Sequence, residues 1–132
     1  MLTRVHGTLP PEVEDVMHRV IGAAIEVHRH LGPGFLESVY FRALCIELSE
    51  RGIGFETEKS IGVVYKGHRI HGQRLDLIVD SSVVVEVKAV SQLEEIHASQ
   101  VVSYLRSTGL RAGMILNFNA VAMKAGIRRI VV

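Results

Sequence analysis

The sequence predicts a mixed β-sheet flanked by helices, an α+β / α/β fold, and three observations carry that expectation. Two stretches with apolar residues at helical spacing open the chain, and the hydrophobic period then switches to that of strands for three consecutive segments. A further helical stretch separates the third of these from a fourth strand. Two strands joined through a helix should lie parallel, with a right-handed crossover. The 132 residues suit one domain, able to bury roughly two-thirds of its unfolded surface.

Residues 1–9 read as a flexible arm and 10–132 as the domain. Pro10-Pro11 suits a helix start, where missing N–H groups are harmless. Val13, Val16, Met17, Val20, Ile21, Ala24, Val27 and Leu31 form its apolar stripe, and "GPG" at 32–34 stops it. A second helix is expected from Phe35 to Arg51, with Gly52 closing it. An extended segment then runs through Tyr65 and turns at Lys66-Gly67. His68 to Val79 holds the next strand and Val83 to Val90 the third. Ser91 and Glu94 have capping-box spacing, opening a helix over 92–108 that ends at Gly109. "AGMILNF" at 112–118 is the fourth strand, and the closing "RRIVV" a short fifth.

A net charge of +1 argues neither for nor against a polyanionic partner. The charge is uneven, however: residues 1–60 carry six Lys/Arg against nine Asp/Glu, and residues 61–132 nine against five. The lone cysteine, Cys45, cannot form an internal disulfide and reads as a small buried hydrophobe. Together with the absence of a leader-like or membrane-spanning apolar run, it points to a cytoplasmic setting.

"RLDLIVDSSVVVEVKAV", Arg74 to Val90, carries the chemistry. With Asp80-Ser81-Ser82 as a three-residue loop, Val79 faces Val83, Leu77 faces Val85, Asp76 faces Glu86 and Arg74 faces Lys88. Leu75, Leu77, Val79, Val83, Val85 and Val87 then share one apolar face, and the charged residues share the other; a slip by one would mix them. Such a loop ordinarily wants glycine at its left-handed position, which this one lacks. Two facing carboxylates repel unless a proton or a cation intervenes. Asp76 and Glu86, with the Val87 carbonyl and water, make an oxygen-rich site for Mg²⁺ or Mn²⁺. Lys88, on the same side, can orient or deprotonate a water or neutralise phosphoryl charge. The alternative is a set of ion pairs on a solvated sheet face.

Asp76 followed by Glu86-Val87-Lys88 resembles the D…(D/E)xK signature of the PD-(D/E)XK nuclease superfamily, whose αβββαβ core has this element order. "GFLESVY", Gly34 to Tyr40, resembles the GxxExxY pattern that names a family within it, and "VVYKG", "VVVEVKAV", "LNFN" and "GIRRIVV" are similar to that family's segments. The proline of the superfamily name is replaced by Leu75. The resemblance implies a restriction-endonuclease-like fold and a nuclease that hydrolyses phosphodiesters with Mg²⁺ or Mn²⁺, on DNA rather than RNA. It implies Asp76 and Glu86 as metal ligands, Lys88 as the catalytic lysine and Glu37 as a further metal or water ligand, with Glu26 a lesser candidate.

Gln100 and Tyr104, at i and i+4, resemble a QxxxY element that supports the site and contacts nucleic acid, with His97 one turn earlier. Arg74 and Arg106, and beyond them Arg111, Lys124, Arg128 and Arg129, are candidate phosphate contacts. His28 and His30 point apart on their helix, and His68 and His71 read as solvated. A non-catalytic nucleic-acid- or protein-binding module that keeps the fold is the competing function. A homodimer would reconcile small size with cleavage of two strands.

Overall fold

Residues 8–132 are described by the structure, a computed structural model. Helix α1, Pro11–Leu31, has proline in its first turn and acids Glu12 and Glu14 beside it, and it buries Val16, Met17, Val20, Ala23, Ala24 and Val27 on one side. Most of the expected arm, residues 1–7, lies outside the described residues. Its last member, Leu9, is already packed into the core.

Helix α2, Glu37–Glu50, is shorter than expected because Phe35 and Leu36 belong to the preceding loop. It ends in a Schellman motif: the Ile53 N–H donates to the Leu48 carbonyl and the Gly52 N–H to that of Ser49. Gly52 supplies the required left-handed residue at φ 70°.

The sheet has five strands in the order β1-β2-β3-β4-β5: Phe55–Tyr65, His68–Val79, Val83–Lys88, Ala112–Asn117 and Ile127–Val131. All neighbours are antiparallel except β3 and β4, which are parallel as the helical connection requires. Leu77↔Val85, Ile78↔Val84 and Val79↔Val83 confirm the expected register at the β2–β3 turn. Asp80 and Ser81 hold that turn at φ 51° and 55° without glycine. The missing turn signal thus cost strain, not register.

Two apolar cores sandwich the sheet. Leu77, Val79, Val83, Val85 and Val87 pack with α1 and α2, whereas Ile61, Ile78, Val84, Ile115 and Ile130 pack with helix α3, Glu95–Thr108. Leu75 departs from expectation by joining the α3 side rather than that of Leu77. The β1–β2 ladder is interrupted between these residues: Thr57 pairs with Leu77 and Lys59 with Leu75, but Glu58 and Asp76 are not paired, and Glu58 is left-handed at φ 50°. The two-residue alternation thus fails on either side of Asp76.

The opening of α3 also differs. Glu94, not Ser91, is its cap, and the capping box joins Glu94 to His97, whose Nδ1 accepts the Glu94 N–H at 2.9 Å. Strand β3 stops at Lys88 rather than Val90. Beyond it, the buried Asn117 side chain accepts the Val90 N–H and donates to the Val90 carbonyl, both at 3.0 Å. That clamp fixes where the chain leaves the sheet. Among the described residues, no helix is long and apolar enough to cross a membrane.

Candidate functional site

Just beyond the Leu77–Val85 pair, side chains replace the β2–β3 ladder. The Asp76 N–H donates to Glu86 Oε1 at 2.8 Å, and the Val87 N–H donates to Asp76 Oδ2 at 2.9 Å. Asp76 and Glu86 are therefore neighbours as expected, but through reciprocal carboxylate–backbone bonds instead of a paired position. Arg74 and Lys88 are likewise not paired across the strands. Each acid keeps one carboxylate oxygen outside this exchange.

Glu86 is only 4% exposed. Burial, followed by the negative charge of Asp76, pushes its pKa up to about 7 against the pull of the Asp76 N–H and Lys88. Asp76 is raised too, first by burial and also by Glu58, with the Val87 N–H and Lys88 opposing. The protein has thus placed two acids together in low dielectric with insufficient positive charge. A proton or a cation at the pair would relieve that repulsion.

Glu37 comes from the first turn of α2. It lines a cleft of about 410 Å³ with Ser38, Phe41, Glu58 and Asp76. Partial burial of its carboxyl raises its pKa, and the charges of Lys88, Asp76 and His97 all reach it. The GxxExxY spacing has a structural explanation. Gly34 takes φ 111°, which an L side chain resists. Tyr40, fully buried, donates its hydroxyl to the Gly32 carbonyl and accepts the Phe35 N–H at 3.1 Å. Its ring stacks on Phe118 with centroids 4.8 Å apart and planes 7° from parallel. Tyr40 is thus a core anchor that holds the loop presenting Glu37.

Tyr104 is buried on α3, and burial, then the charges of Glu86 and Asp76, push its hydroxyl up to about 12. Gln100, one turn earlier, is half-buried. Lys88 is half-buried and exerts its charge on Asp76, Glu86 and Glu37.

Other candidates are placed elsewhere. Glu26 is half-buried and occupied by Arg29 at 2.6 Å and His30 at 2.8 Å, which hold its pKa low. His28 Nε2 instead meets the Ala120 carbonyl at 2.8 Å, so the two histidines do point apart. Arg129 pairs with Glu14 at 3.0 Å, and Arg111 Nε donates to the Val132 carbonyl at 3.0 Å. Arg106 is exposed in the last turn of α3. Arg74, also exposed, lies 3.6 Å from Glu58. Cys45 is half-buried, and burial raises its thiol pKa.

Glu58 escaped the sequence reading. "ETEK" resembles an ordinary solvated strand, and only the left-handed backbone at Glu58 reveals that it borders the cleft.

Among the described residues, no three His, Cys, Asp or Glu side chains form a ready-made metal cage. The donors fit a hard divalent cation nonetheless. The buried Glu86 and half-buried Asp76 carboxylates repel each other, each has an oxygen outside the backbone exchange, and Glu37 and Glu58 line a cleft with Asp76.

Among curated proteins and among solved structures, no significant match emerges. A profile described as the PD-(D/E)XK nuclease superfamily matches residues 14–130, which include every residue of the acidic site. With its mixed five-stranded sheet flanked by helices and its acids at the β2–β3 divergence, the chain belongs to the PD-(D/E)XK nuclease superfamily.

Proposed function

We propose that this protein is a divalent-metal-dependent nuclease of the GxxExxY type that hydrolyses phosphodiester bonds, with DNA as substrate. The observation that carries the reading is the buried Glu86 bonded to the backbone of half-buried Asp76, with the Lys88 charge acting on both and Glu86 raised to about 7. Charges commonly found on a solvated face would titrate near their ordinary values.

Asp76 and Glu86 would hold the cation, with the Val87 carbonyl as a third donor and Glu37 as a direct or water-mediated one. When bound, Mg²⁺ or Mn²⁺ supplies charge that polarises a phosphoryl oxygen and acidifies water. Lys88 orients the attacking water or offsets charge building on the phosphoryl oxygens. Glu37 and Asp76 border the cleft and direct that water toward the phosphorus. Attack by water oxygen breaks the opposite P–O bond in line, and the departing oxygen takes up a proton. Gln100, half-buried on α3, would meet the nucleic acid, whereas Tyr104 is buried in the core on the α3 side and senses the charges of the acids.

A second reading is a non-catalytic binding module. It is favoured by the engagement of both acids with backbone N–H groups, a structural use in its own right. A cleavage assay on single-stranded and duplex DNA and RNA with Mn²⁺ separates the two. The nuclease reading expects wild-type cleavage that Lys88→Ala and Asp76→Asn abolish. Absence of cleavage in the folded wild type across these substrates would favour the module. A homodimer, proposed on size alone, is tested by light scattering.

A further inference from the structure

A second groove, of about 390 Å³, lies between β1 and the last turn of α3, away from the acidic cleft. Lys59, Ser60 and Arg69 contribute from the hairpin, and Ser107 and Thr108 from the helix. The register slip between Ile61 and Val63 brings Gly62 beneath Arg69. A Cβ at Gly62 would lie 2.6 Å from Arg69 Nε and 2.8 Å from Cζ. The guanidinium therefore rests against bare backbone, in space that any side chain at position 62 would take.

Glu56, the one acid lining the groove, is matched to Lys59 at 3.1 Å. Arg69 is without an acidic partner among the described residues. The groove thus combines an uncompensated guanidinium with hydroxyl groups, which suits a phosphate more than an apolar or cationic ligand. Helix α3 connects it to the acids: the charges of Glu86 and Asp76 reach Tyr104, and Thr108 lines the groove four residues later, about 6 Å along the helix.

We propose that this groove seats a phosphate of the nucleic-acid backbone flanking the bond to be cut, with Arg69 as its charged ligand. The proposal rests on the nuclease reading for its substrate class, and it deepens that reading by giving the substrate a second point of attachment.

Fluorescence anisotropy of a labelled DNA oligonucleotide, with the full chain in EDTA, tests it without any cleavage. A single neutralised phosphate contributes a salt dependence of about [salt] to the power −0.9, hence about eightfold in affinity near 0.1 M salt. Arg69→Ala is expected to weaken binding by about that factor and to reduce the salt slope by about one. Gly62→Ala, which displaces the guanidinium while keeping its charge, is expected to weaken binding too. Thermal midpoints near wild type establish that both variants are folded. Unchanged affinity and slope in Arg69→Ala, or no DNA binding by the wild type, would overturn the proposal. Cleavage with an unaffected Arg69→Ala retains the nuclease and removes the groove. Arg69-dependent binding without cleavage by the wild type does the reverse.

Discussion

The backbone N–H of Asp76 donates to the carboxylate of Glu86 across a 2.8 Å hydrogen bond, at the point where β2 and β3 stop pairing. The same side chain that strains the electrostatics also substitutes for a lost ladder bond. Stability and the proposed function are therefore linked at Glu86, and the stability side of that link has a measurable pH dependence.

Glu86 has a folded pKa of about 7 against an ordinary 4.5. Between these values the unfolded chain releases its proton first, so ionisation favours unfolding as pH rises. The cost is complete above the folded value and absent below about pH 4, and it is on the order of 3 kcal/mol. Asp76 shifts in the same direction. In EDTA the thermal midpoint should fall as pH is raised from about 5 to 8. Glu86→Gln should flatten that fall and equal or exceed wild type at the alkaline end. A wild-type midpoint that instead rises through this window would contradict the burial of an uncompensated acid.

Under the proposed nuclease reading, Lys88 acts on the reaction more than on the fold. Lys88→Met should lower phosphodiester hydrolysis by about 100-fold or more, the scale of a lost transition-state contact. Its thermal midpoint should stay close to wild type. A large loss of midpoint accompanying the loss of rate would move Lys88 from the chemistry to the scaffold.

Tyr40→Phe removes a hydroxyl that bonds both Gly32 and Phe35 while leaving the ring on Phe118. The expected destabilisation is about 1–3 kcal/mol, since the two backbone groups lose a part-buried partner. Tyr40→Ala should cost more, about 3–5 kcal/mol, through the cavity it leaves. Denaturant unfolding distinguishes them: equal losses would mean that the ring adds nothing beyond the hydroxyl, and no loss in Tyr40→Phe would mean that the hydroxyl carries nothing.

Asn117→Ala unfastens Val90 by removing two bonds of 3.0 Å from a buried site. We expect about 2 kcal/mol of destabilisation. Amide exchange should quicken at Val90 before it does in β3, and uniform quickening would argue against a local clamp.

Much of this was legible in the residues. Alternation along Arg74–Val90 set the β2–β3 register at Leu77–Val85, and a helix between β3 and β4 implied their parallel pairing. Three things were not. Leu75 and Leu77 take opposite sides of the sheet where Asp76 and Glu58 drop out of the ladder, and a glutamate gives no warning of the positive φ at Glu58. The cap of α3 was misplaced because Ser91-x-x-Glu94 has the right spacing, whereas the working pair ends in a histidine, outside the usual acid or amide. Reciprocal bonding between Asp76, Glu86 and Val87 depends on strand divergence, which pattern alone does not encode.

The central claim, that Asp76 and Glu86 form a cation site, is met most directly by calorimetric titration of Mn²⁺ into wild type, Glu86→Ala and Lys88→Ala near pH 8. Mn²⁺ that binds wild type, binds Lys88→Ala and fails to bind Glu86→Ala is the predicted result. If the folded wild type takes up no Mn²⁺ at millimolar concentration, or Glu86→Ala binds it as well as wild type does, the acids are a structural clasp and the account of the site is wrong.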